Sequence, residues 1–184
     1  MFLIVSVLLG VAIGYATGGR LSHLARLRLR ATWLVLLALL VQLLIFPLFT
    51  DRPLLPYATT SLHLSSYALV FLFLALNWRQ GALLLTGLGA VLNLIVIAAN
   101  RGYMPASPTA LARAGKAQAA ERLVAEGVYG NVRAMGEGTR LDVLGDWLYL
   151  PHGVPLATAF SLGDLLIGLG LVGLVVWGMR ARGG

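Results

Sequence analysis

Five apolar runs, about residues 2–17, 32–50, 58–77, 81–99 and 156–178, constrain this chain more than any motif in it. A segment surrounded by lipid must satisfy its own peptide N–H and C=O groups, which leaves the helix as the solution for isolated runs of about 20 residues. Hydrophobic residues make up 59% of the chain, charged ones 11%, and mean hydropathy is +0.85, far outside soluble composition. The expected fold class is an all-α membrane protein with five transmembrane helices. Cysteine is absent, which excludes disulfides, a thiol nucleophile, a lipid-bearing cysteine and Cys-based metal sites.

Charge sets the expected orientation. Arg20, Arg26, Arg28 and Arg30 lie between the first two runs, Arg79 between the third and fourth, and Arg180 and Arg182 in the tail, with no acid among them. All seven acids fall in the other connections or at the start of the last run. Cytoplasmic loops are rich in Lys and Arg, so five spans place the N-terminus outside and the C-terminus inside. The pI near 10.6 then reports topology, and no nucleic-acid partner is expected. Trp33, Trp78 and Trp177 near inner ends and Tyr57, Trp147 and Tyr149 near outer ends fit interfacial belts. The first run has its positive charges after it, which suits a retained anchor with its start outside better than a signal peptide. Ser6, Gly10, Gly14 and Gly18 recur every four residues along it, a small-residue stripe that admits a close helix partner, either within the chain or on a second subunit.

Residues 100–155 are expected outside, as a small helical and irregular cap between helices four and five. Ser107-Pro108 reads as an N-cap with proline at the first helical position, leading into two short helices interrupted near Gly115; Gly127, Gly130, Gly136 and Gly138 then mark turns. The segment is too poor in large apolar residues to fold alone, so the whole chain, 1–184, is one membrane domain.

The chemistry concentrates on Asp146 and Asp164. A carboxylate at membrane depth is costly, and two roles fit Asp164. In the structural one, Ser161-x-x-Asp164 is a capping box for the last helix. In the chemical one, Pro151 and Pro155 turn the chain back so that Asp146 meets Asp164, and two carboxylates sharing a proton can activate water and protonate a leaving group. His63, Asn93, Asn100 and Arg101 are the candidate substrate-positioning residues. The structural alternative for the asparagines and His63 is interhelical hydrogen bonding, and for Arg101 pairing with Asp142, Asp146 or a lipid phosphate. No metal is expected, because His23 falls on the inner side and His63 and His152 lack metal-site spacing; no cofactor is expected either.

"GDW" at Gly145 to Trp147, "FSLGD" at Phe160 to Asp164 and "GAVLNLI" at Gly89 to Ile95 resemble the C-terminal half of the lipoprotein signal peptidases, membrane aspartic peptidases. The resemblance implies Asp146 and Asp164 as catalytic residues, and as substrate a membrane-anchored peptide or lipoprotein, in the bacterial inner membrane. Ser161 stands where that family has Asn, Gly163 where it has Ala, and Val96-Ile97 where it has Asp-Arg, and its early extracytoplasmic motif has no counterpart near Asp51. "NRGYMP", "TRLDVLGDW" and "FSLGD" also resemble a family of uncharacterised bacterial multi-pass membrane proteins. The alternative function is a non-catalytic subunit of a membrane complex, or a lipid-binding scaffold whose Arg-rich inner loop meets anionic lipid. A transporter fits least, since paired broken helices are missing from the pattern.

The topology is directly testable in a cysteine-free background. A Lys116→Cys protein should label with a membrane-impermeant thiol reagent from outside the cell; protection there, with labelling only from the cytoplasmic face, would reverse the orientation.

Overall fold

The computed structural model describes residues 2–46 and 59–181. The end of the expected second helix, residues 47–50, the first residue of the third, Ala58, and Asp51, Tyr57 and Arg182 lie outside the described residues. The fold is mostly helical. Among the described residues, three helices are long and apolar enough to cross a membrane: α4 (Thr59–Leu76), α5 (Gly81–Ala99) and α8 (Leu162–Arg180). Two shorter apolar helices, α1 (Phe2–Ala16) and α3 (Trp33–Ile45), accompany them.

α8 is the centre of the arrangement, with α1 along one side and α5 along another, while α3 packs on α4. Its glycines explain how one helix admits two close neighbours. A Cβ at Gly163 would run into the Asn93 side chain and one at Gly170 into Thr86, both on α5. A Cβ at Gly168 would instead meet Ser6 Oγ at 2.5 Å, on α1. The stripe on α1 answers from the other side: Gly10 faces Val172 and Val175, and Gly14 faces Met179. The internal partner is therefore α8. Gly18 does not belong to this contact, because it lies past the end of α1 with φ +81° and has no neighbour at its Cβ position. Gly19 makes the close approach instead, since a Cβ there would lie 2.9 Å from Met179 Cβ; the turn after Ala16 breaks the four-residue period.

Leu34, Phe73, Leu83 and Leu174 form one buried cluster that ties α3, α4, α5 and α8 together. Nearby, the arginine-rich connection folds onto the helix ends. It holds a four-residue helix, α2 (Leu21–Leu24), and both the Arg20 amide (2.9 Å) and His23 Nδ1 (3.0 Å) reach the carbonyl of Met179. Buried Asn77, at the end of α4, accepts from the Arg30 amide at 2.8 Å and donates to the Arg30 carbonyl at 2.9 Å. The basic connections thus share one end of the molecule.

At the other end the cap is more ordered than its sequence suggests. Ser107 Oγ accepts from the Ala110 amide at 3.2 Å, and the two expected helices are α6 (Pro108–Arg113) and α7 (Ala117–Glu126), with Gly115 in the left-handed region between them. Around them lies a three-stranded sheet of β1 (Met104–Ala106), β2 (Val128–Tyr129) and β3 (Val132–Ala134), ordered β1-β3-β2, with β1 and β3 parallel. A second ribbon pairs β4 (Leu148–Tyr149) with β5 (Ala159–Phe160). Strands of two or three residues carry no readable alternation, so a purely helical and irregular cap is corrected here. The last helix is shortened for the same reason: residues 156–161 hold a turn with Leu156 at φ +61°, the strand β5 and the N-cap Ser161.

These contacts predict unequal costs along α1. Gly10→Leu drives a side chain into α8 backbone near Val172 and should destabilise by about 1–3 kcal/mol, whereas Gly14→Ala meets the flexible end of Met179 and should cost less. Thermal unfolding in detergent measures both; a Gly10→Leu protein that melts with the wild type would show that α1 does not pack on α8 this way.

Candidate functional site

The site forms where the cap meets the starts and ends of α4, α5 and α8. Asp164 enters from the first turn of α8. Ser161 Oγ accepts from the Asp164 amide at 2.9 Å, and Asp164 Oδ2 accepts from the Ser161 amide at 3.4 Å, so the capping box read in the sequence is formed. The cap does not exhaust the carboxylate. Asn93 Nδ2 donates to Asp164 Oδ1 at 2.8 Å, and Ser161 Oγ donates to Asn93 Oδ1 at 2.9 Å. Asn93, Ser161 and Asp164 thereby close a ring of hydrogen bonds between α5 and α8. Glycine at 89 and 163 makes the ring possible, since a Cβ at either would collide with the opposing helix.

Asp146 arrives on an extended segment beside β1. Its amide donates to the Pro105 carbonyl at 2.8 Å and its carbonyl accepts from the Ser107 amide at 3.0 Å, pairing it in parallel with Ala106. Gly145 has to be glycine here, because a Cβ would lie 2.5 Å from the Pro105 carbonyl oxygen. The residue as a whole is half-buried, yet Asp146 Oδ1 is out of solvent and has no hydrogen-bond partner. The two aspartates lie within electrostatic reach of each other. Burial first, and then the charge of Asp164, push the Asp146 carboxyl well above the usual carboxylate range.

The other sequence candidates divide. Asn93 belongs to the site through Asp164. Buried Asn100 clamps the cap: its Nδ2 donates to the Val96 and Arg140 carbonyls and its Oδ1 accepts from the Arg140 amide, each at 2.8 Å. Buried His63 places Nδ1 2.9 Å from the Gly102 carbonyl. A carbonyl cannot donate, so Nδ1 carries the hydrogen of this bond. Arg101 contributes backbone, with φ +58° and its carbonyl accepting from Thr60 Oγ1 at 2.9 Å; neither it nor Arg140 partners Asp146 Oδ1.

Tyr67 was missed in the sequence. It lies within electrostatic reach of both Asp146 and Asp164, its ring is 5.8 Å from that of His63, and it packs against the buried cluster of Val96, Ile97 and Met104. The available signal was spacing: His63 and Tyr67 are four residues apart and share a helix face. Among the described residues, no group of three His, Asp or Glu side chains could hold a metal ion.

A model of a family of unknown function, DUF5317, matches residues 26–176, so the chain belongs to that family. No curated protein and no solved structure matches it.

The raised Asp146 carboxyl makes stability depend on pH with a definite sign. The folded protein holds a proton that the unfolded chain releases near pH 3.9, so this contribution is complete below about that value and is lost as pH rises through the folded one. Thermal melts across pH should therefore show stability declining from acid toward mildly alkaline solution. Asp146→Asn should flatten the decline and melt above wild type at the alkaline end. Parallel profiles for the two proteins would mean that the Asp146 carboxyl is not perturbed.

Proposed function

We propose that this DUF5317 family member is a membrane-embedded aspartic hydrolase whose carboxylate pair, Asp146 and Asp164, cleaves a membrane-anchored peptide. One observation carries the reading: Asp146 lies within electrostatic reach of Asp164, which is held by donors, while Asp146 keeps an oxygen out of solvent with no partner, as Asp142 also does. Structural carboxylates are normally paired on both sides. In the proposed reaction Asp164, held by Asn93 and Ser161, takes a proton from water as the water oxygen attacks the scissile carbonyl carbon. Asp146, which keeps the proton of the pair, gives it to the carbonyl oxygen. In the second half the Asp164 proton passes to the leaving nitrogen as the C–N bond breaks, and the intermediate returns a hydroxyl proton to Asp146, so both groups end as they began.

The orientation follows the charge pattern: five membrane helices, the N-terminus outside, the arginine-rich end in the cytoplasm of a bacterium and the site at the outer surface. The substrate class rests on surroundings and resemblance. Leu141, Val143 and Trp147, exposed around Asp146, suit an interfacial setting. The "GDW", "FSLGD" and "GAVLNLI" stretches supply the likeness to lipoprotein signal peptidases. Gly163, where those enzymes have Ala, marks a difference in construction: here a Cβ would strike Asn93, so α5 and α8 are closer than an alanine permits.

The capping box supports a second reading, a non-catalytic scaffold in which Asp164 only starts α8. The two part experimentally. In membranes of cells making the wild type, mass spectrometry of peptide termini should find cleavage products at the outer surface that fall by about 100-fold or more with Asp146→Asn or Asp164→Asn, each variant melting as a folded protein. Identical termini in all three, with a modest stability change in Asp164→Asn, would leave the scaffold.

A further inference from the structure

We propose that the recess at the basic end is a binding site for the phosphate of an anionic phospholipid headgroup. It measures about 430 Å³ and is lined by Arg28, Arg30, Trp78, Arg79 and Gln80 around the Asn77 clamp. Three arginines line it, and no acidic residue does. Topology alone asks for positive charge on this face, without asking for a shaped site. The shape comes from Asn77, 6% exposed, which holds the backbone of Arg30 through both its amide and its carbonyl. That clamp sets Arg28 and Arg30, two residues apart on one connection, against Arg79 on another. The Arg79 guanidinium lies 5.4 Å from the centre of the Trp78 ring, a stacking that orders it. Guanidinium forks match phosphate oxygens bidentately.

The surroundings favour a lipid over a soluble anion. Trp78 is 63% exposed at the mouth, an amphipathic ring of the kind that settles at headgroup depth. Leu72 and Leu76, four residues apart on α4, are exposed next to it, so acyl chains attached to a bound phosphate have an apolar helix face to lie along. Basic pockets between membrane helices hold anionic headgroups by this chemistry. The site is at the opposite end from Asp146 and Asp164 and does not depend on their being catalytic.

Native mass spectrometry of the delipidated protein in detergent, titrated with phosphatidylglycerol or phosphatidylcholine, tests the site. Wild type should bind phosphatidylglycerol in preference. Arg28→Gln, Arg30→Gln and Arg79→Gln combined should weaken that binding at least tenfold. Arg20→Gln, Arg26→Gln and Arg180→Gln combined, which remove equal charge from the same end outside the recess, should leave it within about twofold. Should the first triple variant fail to fold, Arg79→Gln alone should still weaken binding several-fold. Equal losses in both triple variants would reduce the effect to diffuse charge and overturn the site, as would no loss in either. Millimolar inorganic phosphate should not displace the lipid; displacement would reassign the recess to a soluble anion and overturn the lipid proposal.

Discussion

The approach of α5 to α8 at Gly89 and Gly163 is the constraint on which the other features depend. At this crossing each helix presents hydrogen in place of a side chain, and the backbones come close enough for Asn93 to reach across to both Ser161 and Asp164. Lipid offers no hydrophobic gain for bringing helices together; van der Waals contact and hydrogen bonds must do it. The crossing supplies both. It also fixes the first turn of α8, and through β5 and its partner β4 it fixes the strand that follows Asp146. A side chain at Gly163 would move α8 and with it the cap's attachment.

Three buried asparagines then perform one physical task in three places. A primary amide carries donor and acceptor side by side and can pair with a peptide group on both of its faces. Asn77 does this to Arg30 at the basic end, and Asn100 does it to Arg140 under the cap. Asn93 does the same to a hydroxyl and a carboxylate. Asn77 and Asn100 therefore hold connections to helix ends, where peptide groups would otherwise be left unsatisfied in an apolar setting. Interhelical bonding, the plain expectation for such residues, describes only Asn93.

Much of this was legible because helices in lipid announce themselves by length. The run 81–99 coincides with α5, and the Ser107-Pro108 start and the Gly115 break in the cap appear where the local chemistry puts them. The capping box at Ser161 was legible for the same reason: every member lies within one turn. The features that escaped are those that local pattern does not encode. A strand of two residues such as Leu148–Tyr149 exists only through its partner. Gly19 replaces Gly18 in the contact with α8 because the chain turns between them, and Tyr67 joins the aspartates through folding that brings α4 to the cap. Periodicity identified α1 as having a partner without identifying which helix it was.

The two accounts of the aspartates differ in what they leave unexplained. Capping accounts for Asp164 Oδ2, and the α5 contact accounts for Oδ1; a builder of helices would need no more. Nothing in capping calls for Asp146. Its backbone alone makes the pairing beside β1, which any residue tolerating extended geometry could make, and an apolar side chain there would avoid both desolvation and the repulsion of Asp164. A buried acid oxygen without a partner lowers stability, by an amount that rises as the carboxyl is forced to ionise. A residue that costs stability, adds nothing to its own strand and lies within electrostatic reach of a second carboxylate is where strain is expected to serve function. That asymmetry between the two aspartates, more than their proximity, is what a purely structural account does not absorb.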